Sequence, residues 1–253
     1  MLFDMNVYLG QFPFRPTPHT SAAALSAHLE QIGVEKALVS SLEGVYYRNV
    51  QQGNQRLYEV VQPYRNQFVC AALVNPLYTQ WQGDALQCID GWGFAALKLF
   101  PCHHGYRLDD EHGIAVLRWA AEHNVAVVLP IGIEDLRQRH PMDADRLLCP
   151  REVAAAASAV PDATLVLVGG RMSAFAQALR TVHRTAPVYY DFERDDNLAA
   201  LISEIGPDNM VFGTGAPLQA AETQMVKLET LAPQPPLDAI CWRNAVQILH
   251  LEE

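Results

Sequence analysis

The chain has 253 residues, half of them apolar, and a net charge of −10 with His neutral. That size supports one large domain or two small ones. The acidic balance makes nucleic acid and anionic membrane poor partners, and no apolar run approaches the roughly 20 residues of a membrane span.

Short β-rich runs alternate with longer helical patterns. The first strand is expected near Leu2–Tyr8, followed by a helix near Ser21–Ile32. The next pairs are Lys36–Ser40 with Asn54–Val61, Phe68–Val74 with Gln80–Ile89, and Ala95–Phe100 with Gly113–His123. Then come Val125–Ile131 with Pro150–Ala159, Thr164–Val168 with Ala174–Thr185, Val188–Asp191 with Leu198–Ile205, and Met210–Gly213 with Leu218–Leu231. A last helix is expected near Leu237–Leu249. Eight β-then-α units over this length predict a single (β/α)8 TIM barrel spanning residues 1–253, with an extra C-terminal helix. A doubly wound sheet would place a Gly-rich phosphate loop after its first strand; Tyr8-Leu9-Gly10-Gln11-Phe12-Pro13 is not one.

The N-terminus lacks the basic start and apolar stretch of a signal peptide. Five Cys, at 70, 88, 102, 149 and 241, form no CxxC pair, and their odd number argues against a disulfide framework. Free thiols in a reducing cytoplasm are the expectation.

Catalytic groups in such barrels lie at the C-terminal strand ends. On strand 1, alternation places Phe3, Met5, Val7 and Leu9 toward the outer helices and Asp4, Asn6 and Tyr8 inward. Lys98 interrupts the apolar run of strand 4, where a buried ammonium must pair or discharge. The following loop carries His103, His104, Tyr106 and Arg107. After strand 5 come Glu134, Asp135, Arg137 and His140. Glu134 or Asp135 could act as a general base, and Arg137 could clamp a carboxylate. Arg171 follows strand 6; Asp191, Glu193 and Arg194 follow strand 7. For each group a bland reading competes: a salt bridge for Lys98, a solvated charged loop after strand 5, a structural hydrogen-bond network for Asp4.

Six segments in order resemble the amidohydrolase-related barrels. Asp4-Met-Asn-Val-Tyr-Leu-Gly10 resembles their opening Asp-x-His-x-His-x-Gly, and Gly93–Pro101 resembles their fourth strand. Val127–Gly132, Leu165–Gly170 and Met210–Pro217 are similar to the fifth-, sixth- and eighth-strand segments, and Asn244-Ala245 to the closing Asn-Ala. The resemblance implies a metal-dependent-hydrolase fold. It also implies that the metal positions here hold Asn6, Tyr8, Pro130, Leu167 and Gly215, none a usual ligand. Asn6–Arg15, Lys98–Tyr106 and Glu134–Pro141 further resemble a subgroup lacking the strand-1 His pair.

Three readings follow. The first is a metal-independent enzyme, hydrolase or lactonase-like, acting on a small anionic substrate at the barrel mouth. There Lys98, Arg137 and Arg171 bind carboxylate, with Asn6, His140 and Asp191 beside them. His104 or Glu134 transfers protons, and Tyr8 or Tyr106 polarises a carbonyl. The second is a non-catalytic binding descendant. The third relocates the metal to His103 or His104 with Glu134, Asp135 or His140. No cofactor is expected under the first two. Homo-oligomerisation is an expectation by analogy alone.

Overall fold

A computed structural model describes residues 1–134, 137–143, 146–182, 186–231 and 237–251. Seven strands are present among these residues: β1 (Phe3–Leu9), β2 (Lys36–Ser41), β3 (Phe68–Val74), β4 (Ala96–Leu99), β5 (Ala126–Pro130), β6 (Leu165–Val168) and β7 (Val188–Tyr190). They pair in parallel in sequence order. The main helices between them are α1 (Ala22–Gln31), α2 (Gln51–Val61), α3 (Trp81–Leu86), α4 (Pro101–His104), α5 (Glu111–Glu122), α6 (Pro150–Ala159) and α7 (Met172–Leu179). After β7 come α8 (Leu198–Ile205), α9 (Glu222–Glu229) and α10 (Asn244–Ile248). No described helix is long and apolar enough to cross a membrane.

The expected eighth strand is not a regular ladder. Residues 210–216 instead close the barrel by single bonds. Val211 N–H donates to the Tyr190 carbonyl, Met5 N–H to Phe212, Gly215 N–H to Asn6, and Tyr8 N–H to Ala216. Gly213-Thr214-Gly215 breaks the run, with Gly215 at φ +70°, a left-handed conformation that strands do not use. Asn244 anchors the near end of this segment, its amide donating to the carbonyls of Pro207 and Met210. That contact gives the closing Asn-Ala pair its purpose.

Helix starts follow capping chemistry. Ser21 accepts from Ala24 N–H at α1, and Asp110 accepts from His112 and Gly113 N–H at α5. Gly206, at φ +86°, ends α8 ahead of Pro207.

The expected alternation of β1 fails at its start. Phe3 and Met5 join the barrel-interior cluster with Leu38, Ala71, Ala96, Val128 and Val166, while Val7 and Leu9 join the outer layer facing the helices. The register against β2 shifts between Asp4 and Val7. The cause is local: the Asp4 carboxylate accepts Asn6 N–H at 3.0 Å, removing that donor from the ladder. Met5 and Tyr8, an odd number of residues apart, therefore both bond the closing segment, as a bulge requires. Ala245, Ile248 and Leu249, with Trp242, plug the lower end of the interior. Its upper end is polar.

Candidate functional site

β4 directs Leu97 and Leu99 outward and Ala96 and Lys98 inward. Lys98 is 1% exposed. Its Nζ donates to Asn6 Oδ1 at 2.9 Å and lies 3.8 Å above the Tyr8 ring centroid. Asn6 Nδ2 then donates to Glu193 Oε2 at 2.9 Å. Glu193 Oε1 receives Arg194 Nε at 3.4 Å. Asp191, directly after β7, accepts the N–H groups of Gly169 and Glu193. Asp4 holds Thr214 by its N–H and hydroxyl. Eight charged or polar residues from β1, β4, the β7 loop and the closing segment thus meet in one layer, all but Arg194 buried.

Burial governs the protonation of this layer. It pushes Lys98 down to about 7 against the pull of Asp4, Glu193 and Asp191. It pushes Asp4 up to about 6, opposed by the bonds from Thr214 and Asn6. Asp191 and Glu193 are both raised, by burial first. Burial holds the Tyr8 phenol well above its ordinary value, hence protonated.

Asn6, Tyr8, Lys98 and Asp191 were legible as site candidates and do converge. Glu193 is the member that the sequence-based site omitted. Its carboxylate fills the space beside Gly215, where an added Cβ would come within 2.5 Å of Oε2. The closing segment carries no acid of its own, and the β7 loop places the Glu193 carboxylate against it. A Gly at 215 paired with a Glu after strand 7 was the available signal.

Glu134 lies at the rim rather than in this layer. Arg15 grips it at 2.6 Å and also reaches the Leu218 carbonyl. Arg194 donates to the carbonyls of Ile133 and Glu134. Phe12, Phe14 and Tyr46 stack edge to face and pack with Ile133 and Leu218 over Tyr8. His140 stacks on Phe14 at 4.9 Å, so it serves this apolar cover. Asp135 lies outside the described residues.

Two clefts open beside the cover. One, of about 790 Å³, is lined by Arg137, Arg171 and Arg194 together with Gly169, Gly170 and Asp196. Arg171 is mostly exposed and pairs with Asp196 at 3.7 Å. The other, of about 570 Å³, is lined by Tyr46, Arg48, Asn75, His103, His104 and Asp143. There His103 Nε2 stands 3.3 Å from Asp143. His104 Nε2 lies 3.2 Å from the Val45 carbonyl, and burial pushes its pKa down to about 4. The ring is therefore neutral near pH 7 and a weak base. Tyr106 is not at the mouth: it is buried near Cys102, Asp110 and Glu152, and its hydroxyl has no partner among the described residues. The loop expected after strand 4 is in fact the short helix α4 capped by Gly105 at φ +77°, which carries the chain away from the axis before Tyr106.

The donor set does not suit a divalent metal. Asn6 and Tyr8 offer an amide and a phenol, already engaged with Lys98. Pro130 has no donor side chain. Leu167 packs in the outer layer, so the inward residue of β6 is the equally apolar Val168. Among the described residues no group of three or more His, Cys, Asp or Glu could hold a metal ion. An ammonium at the centre adds repulsion.

The sequence model of one family, described as Amidohydrolase, matches residues 47–251. No curated protein matches. An uncharacterized TIM-barrel protein from Bordetella bronchiseptica superposes with TM-score 0.74 at 15% identity, covering 98% of each chain. A dihydroxybenzoic acid decarboxylase from Polaromonas sp., with bound manganese and the inhibitor 2-nitroresorcinol, gives 0.72 at 13%, covering 98% of this chain and 96% of its own. The 4-oxalomesaconate hydratase of Rhodopseudomonas palustris gives 0.68 at 13%, covering 99% and 96%.

Proposed function

Because this chain belongs to the amidohydrolase family, we propose that it is a metal-independent member hydrolysing the ester or lactone bond of a small carboxylate-bearing substrate at the barrel mouth. One observation carries the reading: an arginine-lined cleft lies directly beside a buried carboxylate whose pKa burial raises. Arg194 lines the cleft and pairs with Glu193. Gly169 also lines it, and a Cβ there would stand 3.6 Å from Glu193 Oε2. Glu193 is thus the immediate neighbour of two residues of the cleft lining. The decarboxylase and hydratase that share the fold are named for carboxylate compounds, which agrees with an anionic substrate.

Arg171 would bind the carboxylate through its planar fork, with Arg137 on the same wall and Arg194, held by Glu193 and the carbonyls of Ile133 and Glu134, adding its charge. Glu193 would take a proton from the water that attacks the carbonyl carbon, then return it to the leaving oxygen. Its raised pKa suits both halves of that exchange. The Tyr8 phenol, kept protonated by burial, would donate to the carbonyl oxygen.

The closed aromatic cover over Tyr8 favours a second reading, a ligand-binding protein without turnover. A thermal-shift screen of small carboxylates, followed by an ester and lactone panel, separates them. Enzyme behaviour is stabilisation of several degrees by a carboxylate, weakened in Arg171→Ala, plus hydrolysis that falls at least 100-fold in Glu193→Gln. Stabilisation without turnover selects the binder. No stabilisation by any carboxylate overturns both.

A further inference from the structure

We propose that the Lys98 ammonium is a built-in cation held by the two strand-1 residues at which the family resemblance implies a metal, and that it positions the carboxylates around the barrel centre. The argument is independent of which substrate the arginine cleft takes. Asn6 and Tyr8, at the strand-1 positions the resemblance implies for a metal, are both groups that hold an ammonium. The amide oxygen accepts one Nζ–H at 2.9 Å, and the ring presents its π face at 3.8 Å. Neither group offers an imidazole lone pair; both attract a positive charge carrying hydrogens.

The amide orientation follows from the charges on either side. Oxygen faces the ammonium and nitrogen faces Glu193, so Asn6 relays the position of the cation to that carboxylate. Asp4, Glu193 and Asp191 all act on Lys98 through space. Without the cation, three buried carboxylates would be left with Arg194, which pairs with Glu193 alone, and the more distant charge of Lys227, which acts on Asp191 and Glu193. Burial lowers Lys98 to about 7, so the positioning charge is present below that pH and fades above it. Lys98 is on this account a positioning residue.

Lys98→Ala leaves a space the size of n-propylammonium, so the test is chemical rescue at pH 6. Breaking a buried charge pair is strongly destabilising, and Lys98→Ala should melt about 10 °C below the wild type. Millimolar n-propylammonium should recover at least half of that loss. The isosteric neutral 1-propanol should recover little, and manganese none. Carboxyl-labelled NMR should show Asp191 and Glu193 protonating at higher pH in Lys98→Met than in the wild type. Equal rescue by propanol would reduce Lys98 to volume filling. Stronger stabilisation by manganese than by the amine, or unchanged melting and carboxyl titrations in Lys98→Met, would also overturn the proposal. If Lys98→Ala does not fold, Lys98→Arg against Lys98→Met decides it, the charge-retaining variant being the more stable.

Discussion

Introducing an acid into the closing segment, as Gly215→Asp, should destabilise this barrel rather than create a metal site. Two costs coincide at that position. Gly215 has φ +70°, where a side chain costs roughly 1–2 kcal/mol. Its Cβ would also stand 2.5 Å from Glu193 Oε2 and 2.7 Å from Cδ. Glu193 cannot yield cheaply, because Asn6 and Arg194 hold it. Overpacking of this kind adds about 1–3 kcal/mol. Gly215→Ala should therefore lose about 3 kcal/mol, a fall in melting temperature on the order of 10 °C. Gly215→Asp should lose more, since it sets a third carboxylate beside Asp191 and Glu193. Adding Glu193→Ala to Gly215→Ala should return part of the loss and leave the backbone strain. Thermal and urea denaturation of the three variants measures this. Wild-type melting of Gly215→Asp, or its stabilisation by manganese, would refute the account.

The fold was more legible than the site for a physical reason. β3 was read to its ends, Phe68–Val74, because an apolar run bounded by polar residues depends on local sequence alone. β1 was located, but its faces were misread, because one Asp4 side chain diverts a backbone donor and shifts the register. The closing segment was found but not its irregularity, which comes from two glycines around Thr214. At the site, inward alternation exposed Asn6, Tyr8 and Lys98. Glu193 escaped because its partner Asn6 lies 187 residues away, and nothing local separates a buried loop acid from a solvated one. Tyr106 was drawn to the mouth by its loop position. Only the path of the chain after α4 removes it. The same distance effect hid the pairing of His103 with Asp143, which lies beyond the His-Pro pair in the strand-5 loop.

Asp4 should prove the residue on which barrel closure depends most. The closing segment lacks a full ladder, and the carboxylate substitutes for one by accepting Asn6 N–H, Thr214 N–H and the Thr214 hydroxyl. Asp4→Ala leaves these donors buried and unmatched, at about 1–3 kcal/mol each before relaxation; a loss on the order of 4 kcal/mol is expected. Asp4→Asn keeps an acceptor at Oδ1 and should lose far less. The pH dependence gives the sharper test. Most stabilising carboxylates in proteins weaken as pH falls, but this one is raised from 3.8 to about 6 by burial. In that window the folded state binds a proton that the unfolded state has released. Its contribution is therefore full below 3.8 and lost as pH rises through 6, an amount on the order of 3 kcal/mol. Asp4→Asn cannot titrate, so the stability difference between wild type and variant should shift in the variant's favour across that window. Urea unfolding at pH 4 and pH 6.5 reads it directly. A difference that moves the opposite way would mean that Asp4 is held ionised, with its nearest cation, Lys98, outweighing burial at the centre of the barrel.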